Sequence, residues 1–121
     1  MTAERLNQTD LLVGDRWVAR DAEGYLLTPT DWDESVAEAI ATELELELTP
    51  ERWMVVNFVH DWFMTRQAVP EARHALKALK TLLGPERATR RFLYQLFPYG
   101  YGQQACKIAG MRKPLKLMLD V

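Results

Sequence analysis

Cys106 is the single cysteine among 121 residues and lies in the run Tyr99-Gly-Tyr-Gly-Gln-Gln-Ala-Cys-Lys-Ile-Ala-Gly110, followed by Met-Arg-Lys-Pro114. No other side chain in the sequence has soft-nucleophile chemistry. The thiolate is the form that attacks electrophiles and carries sulfur, and neighbouring cations favour it. Lys107, Arg112, Lys113 and Lys116 all follow within ten residues, so a partly exposed thiol on a short helix here would be activated. The opposing reading is a small core hydrophobe, since unpaired cysteine is among the most buried residue types. Composition alone favours the core reading by roughly two to one.

A second candidate is electrostatic. Arg73, Lys77 and Lys80 recur at spacings of four and three, which puts them on one stripe of a helix. Arg87, Arg90 and Arg91 follow, and then the cations around Cys106. If the later helices pack beside the first, these groups form one cationic wall. Such a wall can meet an RNA backbone, an acidic protein surface or a sulfur oxyanion. The pattern lacks the dense arginine and exposed aromatics of a dedicated nucleic-acid reader, and the pI of about 5.7 is acidic.

Other chemistry is thin. One cysteine and two separated histidines, His60 and His74, supply no metal-ligand set. Neither a phosphate-cradling glycine loop nor a serine-centred nucleophile elbow is present, and no cofactor is implied. His60 beside Asp61 has no nucleophile to serve, so a hydrogen-bonded or exposed histidine is the favoured reading.

The formal net charge of −2 conceals a division within the chain. Residues 1–65 carry fourteen acids and four bases, net −10, whereas residues 66–121 carry three acids and eleven bases, net +8. Either the second half meets something anionic, or the halves compensate one another across one folded surface. With 48% hydrophobic residues a full core is expected, in a single domain over 1–121 with a frayed 1–9 and a C-terminal arm over 111–121. No apolar run approaches the ~20 residues of a membrane span, and the first residues lack the hydrophobic stretch of a secretory signal. One unpaired cysteine fits a reducing cytoplasm.

These groups need a scaffold. Leu11–Val13 and Trp17–Ala19 read as short strands around a Gly14-Asp15 turn, and Tyr25–Leu27 as a third strand of a small antiparallel β-meander. Thr30 or Asp31 can cap a first helix whose stripe is Trp32, Val36, Ile40 and Leu44. Thr49-Pro50-Glu51 opens a second, apolar on almost every face, with Trp53, Phe63 and neighbours expected inside. Pro70 opens a third with Ala72, Leu76, Leu79 and Leu83 inward, and Gly84 ends it. Pro85 opens a fourth carrying Phe92, Leu93 and Leu96, and a last short helix spans about Gln103 to Ala109. The expected class is α+β, mostly helical: a meander packed on about five helices. Trp53, Trp62, Phe63 and Phe92 read as core aromatics, not as a cofactor box.

The same residues carry a family resemblance. Leu96-Phe-Pro-Tyr-Gly100, Gln104-Ala-Cys-Lys-Ile-Ala-Gly110 and Lys113-Pro114 resemble the C-terminal signature of the DsrC/TusE family. That family joins the gamma-type partner of dissimilatory sulfite reductase with a sulfur-relay protein of tRNA thiolation. Asp21-Ala-Glu-Gly-Tyr-Leu26, Asp31-Trp32, Leu48-Thr49, Trp53, Asp61, Pro70, Arg73, Lys77 and Phe92-Leu-Tyr94 extend the match upstream. The resemblance implies the fold above, docking to sulfur-relay or sulfite-reductase-type proteins, and a role for Arg73 and Lys77 in that docking. It also implies a mobile arm whose penultimate cysteine carries persulfide. Leu117 stands where that cysteine would be, and Cys106 matches the inner one. Two segments near Cys106 depart as well: a family Pro-x-Lys reads Tyr101-Gly-Gln103, and a Leu-Pro pair reads Met111-Arg112.

Three readings follow. The first is an accessory or regulatory relative that keeps the docking surface, with Arg73, Lys77, Lys107, Arg112 and Lys113 as its binding residues. A single-thiol persulfide carrier acting through Cys106 is the second. The third is a small helix-turn-helix-like nucleic-acid binder using the third and fourth helices. The substitution at Leu117 favours the first.

Overall fold

Leu11, Val13 and Val18 alternate with polar or exposed neighbours, and that period of two folds the chain entry into a hairpin. Strand β1 (Leu11–Val13) pairs antiparallel with β2 (Arg16–Val18) in the register Leu11↔Val18, Leu12↔Trp17, Val13↔Arg16. The structure, a computed structural model, describes residues 9–112. The expected third strand is reduced to one bridge, Arg20↔Leu26. Asp21 explains the shortfall: its carboxylate accepts from the backbone N–H of Glu23 and Tyr25 at 2.9 and 3.0 Å. The side chain thereby closes a tight turn that competes with extended pairing.

The first helix starts later than its sequence suggests. Pro29–Asp31 forms a single 3₁₀ turn, Trp32 is extended, and α1 runs Glu34–Glu43. Asp33 is the cap, accepting from Val36 N–H at 2.9 Å, so Trp32 leaves the helical stripe. Val36, Ala37, Ile40 and Ala41 are its buried face. Helix α2 (Pro50–Arg66) begins as expected, with the Thr49 hydroxyl accepting from Arg52 N–H and Pro50 in its first turn. Its buried line is Val55, Val56 and Val59, while Trp53, Phe58 and Phe63 are half-buried against the core's flank. The expected burial of Trp53 and Phe63 is therefore only partial. Slim valines let α2 approach its neighbours closely, and the bulky rings cover the edges of that seam.

Helix α3 (Ala72–Leu83) buries Ala72, Ala75 and Leu79 and stops at Gly84, whose φ is 93°. Helix α4 (Arg90–Leu96) starts five residues after Pro85, not at it. Residues 84–88 make tight turns through Arg87 N–H to Gly84 O and Ala88 N–H to Pro85 O. The Thr89 hydroxyl then accepts from Phe92 N–H at 3.1 Å and sets the true start. The final helical piece also begins earlier than expected, as a wide π-type turn over Tyr101–Cys106 that continues to Ile108.

One hydrophobic cluster joins the hairpin, all four α-helices and this turn. The class is α+β and mostly helical, as the pattern of the sequence implies. Met111, the expected first residue of an arm, is fully buried in that cluster, and Arg112 is the first exposed residue after it. Residues 113–121, with Lys113, Lys116 and Leu117, lie outside the described residues. Among the described residues no helix is long and apolar enough to cross a membrane.

Candidate functional site

The sulfur of Cys106 is not at the surface. Cys106 has 0% relative exposure and sits with Tyr101, Ala105, Ile108 and Met111 in the core. The π-type turn supplies the geometry, since its i→i+5 repeat brings residues five apart over one another. Tyr101, 3% exposed, donates its hydroxyl to Pro70 O at 2.9 Å. Burial, and secondarily the Cys106 thiol beside it, push the ionisation of that phenol far above its usual range.

Side chains from earlier elements hold the carbonyls of the surrounding segment. Tyr25 Oη donates to Gly102 O at 3.1 Å, and Arg52 Nε to Leu96 O at 2.7 Å. Trp32 Nε1 donates to Ile108 O at 2.8 Å. His60 Nδ1 lies 3.0 Å from Ala109 O; a carbonyl can only accept, so Nδ1 carries the proton. The Trp32 and His60 rings stack with centroids 3.8 Å apart, a two-ring clamp over the chain that follows Cys106. Gly110 completes it with φ 76° and a close approach to the indole.

Lys107 points away from catalysis. Its ammonium lies 5.0 Å from the centre of the Tyr25 ring. Burial lowers its pKa first, with Arg20 acting in the same direction, against the raising influence of Glu43, Asp21 and Glu23. Arg20 is 4% exposed and grips both carboxylate oxygens of Glu43 at 2.7 and 2.9 Å, while its backbone N–H meets Asp10 Oδ1. That hydrogen bond holds the Glu43 carboxyl below its ordinary range. The cation next to the cysteine in sequence is thus part of a half-buried charge network under the hairpin.

The cations of α3 and α4 face solvent, whereas the thiol is buried. Arg73, Lys77, Lys80, Arg87, Arg90, Arg91 and Arg112 are all exposed. Arg73 pairs with Glu71 at 3.1 Å, both side chains open to solvent. Among the described residues no other ion pair involves this set. Arg90 and Arg91 occupy the first turn of α4, the end of a helix that disfavours cations. Their placement has no local folding rationale. No group of three or more potential metal-ligating side chains exists among the described residues.

The sequence singled out Cys106 and the cations, but not that the thiol is buried while the cations of α3 and α4 are exposed. Tyr101, Trp32, Tyr25 and Arg52 were not singled out as site residues at all. Only the density of aromatic donors pointed to them, because their partners are carbonyls distant in sequence.

A short hairpin on a mostly helical array, with the cysteine on a wide turn after α4, makes this a small α+β protein. The oxidized gamma-subunit of the dissimilatory sulfite reductase (DsrC) from Archaeoglobus fulgidus shares the fold at a TM-score of 0.83 and 33% identity, over 88% of this chain and 97% of that one. Allochromatium vinosum DsrC matches with a TM-score of 0.79 and 40% identity, over 88% and 96%. The sulfurtransferase TusE of Salmonella typhimurium strain LT2 is 41% identical over 106 residues, 88% of this chain and 97% of its own. Its counterpart in Escherichia coli K12 is 40% identical over the same spans. The profile of DsrC-like proteins matches residues 12–118. The chain belongs to the DsrC-like family of sulfur-relay proteins.

Proposed function

We propose that this protein is an accessory or regulatory member of its family, one that docks to sulfur-handling proteins without itself carrying persulfide. The observation that carries this reading is the complete burial of Cys106. A sulfur acceptor must meet a donor protein's persulfide head-on, and a thiol with no exposed surface has no such approach. Leu117 supports the same reading, being a residue that cannot replace a second thiol.

Docking on this reading uses the cationic face of α3, with Arg73 and Lys77 at its centre, and the exit of the chain at Arg112 and Lys113. Lys107 contributes through the half-buried charge network it forms with Arg20 and Glu43. Partners of the TusE or sulfite-reductase type fit such a face if they present acidic surface, since charge complementarity speeds encounter and orients it. A cytoplasmic setting agrees with a sequence that contains one cysteine.

Intact-mass spectrometry after incubation of the native protein with a persulfide donor tests the proposal. The expected result is an unchanged mass for the folded protein and sulfur addition only after denaturation. Rapid, stoichiometric gain of one sulfur atom at Cys106 in the native state would establish the single-thiol carrier instead.

A further inference from the structure

We propose that Arg66, held over the Trp62 indole, is a preformed carboxylate fork on which an acidic segment of a partner protein docks. The inference deepens the docking reading above and rests on it: Arg73 and Lys77 draw the partner in, and Arg66 fixes its position.

Trp62 is the starting point. Its neighbours Phe58 and Phe63 pack against the hydrophobic cluster, whereas Trp62 is half-buried and is not among the side chains packed there. Core packing therefore does not account for an indole at this place on α2. Besides Phe58, whose ring centre lies 5.6 Å away, the ring meets nitrogen-bearing groups. The His74 ring of α3 is centred 4.5 Å from it, and the guanidinium carbon of Arg66 lies 3.8 Å from its centroid.

These contacts form a line of support. The backbone N–H of Glu71 donates to His74 Nδ1 at 3.0 Å, as part of the reciprocal cap that starts α3. The imidazole so fixed steadies the indole across the α2–α3 seam. The indole in turn carries the guanidinium, which stands one helical turn further along α2. Side-chain freedom that an arginine would forfeit on binding is thus largely removed in advance.

The fork is also unspent. Among the described residues no carboxylate lies within ion-pair distance of Arg66, whereas Arg73 is already engaged by Glu71 at 3.1 Å. A guanidinium over a ring still offers N–H donors in its own plane, spaced for the two oxygens of one carboxylate. Arg66 lies in the last turn of α2, where any cation complements the helix end. That benefit would serve a lysine equally, so it does not explain the stacked arginine. A protein carboxylate suits the place better than a phosphate backbone. Exposed Asp61 precedes Trp62, and Glu71 closes the cap beside it; a continuous polyanion meets both, while a protein segment can place a single carboxylate on the fork.

Heteronuclear NMR of the full chain at low salt tests the fork. The probe is a blocked acidic hexapeptide of sequence AEELEA, with hexauridylate as the phosphate comparison. Saturable shifts are expected at the Trp62 indole N–H and the Arg66 Nε–H on adding the peptide. Arg66→Lys keeps the charge but should weaken peptide binding at least about fivefold. Trp62→Leu removes no charge, yet should weaken it by a similar factor because it frees the guanidinium. The wild-type shift map needs neither variant and decides the matter if Trp62→Leu does not fold. Unchanged binding by Arg66→Lys, or shifts confined to Arg73 and Lys77, would refute the fork and leave the docking reading standing. Silence at every cation of α2 and α3 would overturn both. Shifts at Trp62 and Arg66 with hexauridylate and none with the peptide would assign the fork to phosphate and refute its role in protein docking.

Discussion

Replacing Gly110 by alanine strikes the clamp over the chain after Cys106 and allows its cost to be worked from geometry. Gly110 has φ 76°, a conformation that costs an ordinary residue about 1–2 kcal/mol. A Cβ built there would lie 2.6 Å from Trp32 Cγ and 2.8 Å from Trp32 Cβ, so the indole must move. It cannot move freely, because its N–H is bonded to Ile108 O at 2.8 Å and its ring is stacked on His60 at 3.8 Å. Losing the hydrogen bond costs about 1 kcal/mol and losing the stack about 0.5–1.5 kcal/mol. Together with the backbone term, Gly110→Ala should destabilise the protein by about 2.5–4.5 kcal/mol. Urea unfolding followed by tryptophan fluorescence measures this as a shift in midpoint at unchanged slope. In a cycle with Trp32→Ala, the double variant should lose less than the sum of the singles by more than about 1 kcal/mol. A single-variant loss below about 1 kcal/mol, or strict additivity, would mean that Trp32 does not confine Gly110.

Three further expectations follow from the same structure. Stability should fall as pH drops through the Glu43 range, because a carboxyl held below its ordinary value of 4.5 contributes stability above that pH and forfeits it on protonation. Arg20 is the main cause of that shift and Lys107 a smaller one, so Arg20→Gln should flatten the acid limb in thermal melts from pH 3 to 7, a window of roughly four units around that range. Trp53→Ala should cost about 1.5–3 kcal/mol in chemical unfolding, less than for a fully buried indole, because the residue is only partly buried against the core. Arg73→Glu with Lys77→Glu should change stability by less than about 1 kcal/mol. The pair should nevertheless weaken capture of a TusE-type or sulfite-reductase-type partner, mostly through the on-rate and most at low salt, in surface plasmon resonance.

Much of the architecture was legible because local signals coincide with tertiary needs. Thr49-Pro50 both caps α2 and points its valine line at the core, and Gly84 ends α3 where the periodicity ends. The misses arose where one side chain overrode a local pattern. Asp21 closed a turn and cost the third strand its length. Trp32 matched the α1 stripe in spacing, yet its indole serves a carbonyl 76 positions away. Thr89 outcompeted Pro85 as the start of α4. For the candidate site, spacing revealed the α3 stripe of Arg73, Lys77 and Lys80, since helical neighbours are a matter of arithmetic. The burial of Cys106 was not readable in the same way. Four cations near it in sequence suggested an activated thiol, whereas the wide turn directs the sulfur inward and Lys107 toward the hairpin.

The carbonyls of the 96–110 segment are gripped by residues that all precede them. Tyr25, Trp32, Arg52 and His60 reach Gly102, Ile108, Leu96 and Ala109 across 77, 76, 44 and 49 positions. During synthesis every grip is therefore made before the thing it grips. A nascent chain interrupted before residue 96 presents four waiting donors and an open apolar seam along α2, with nothing local to fill them. Such a chain cannot imitate the finished protein. The long reach of these bonds makes incompleteness visible to the chaperones and proteases that sort nascent chains, and it delays closure around Cys106 until the segment that contains it has been made.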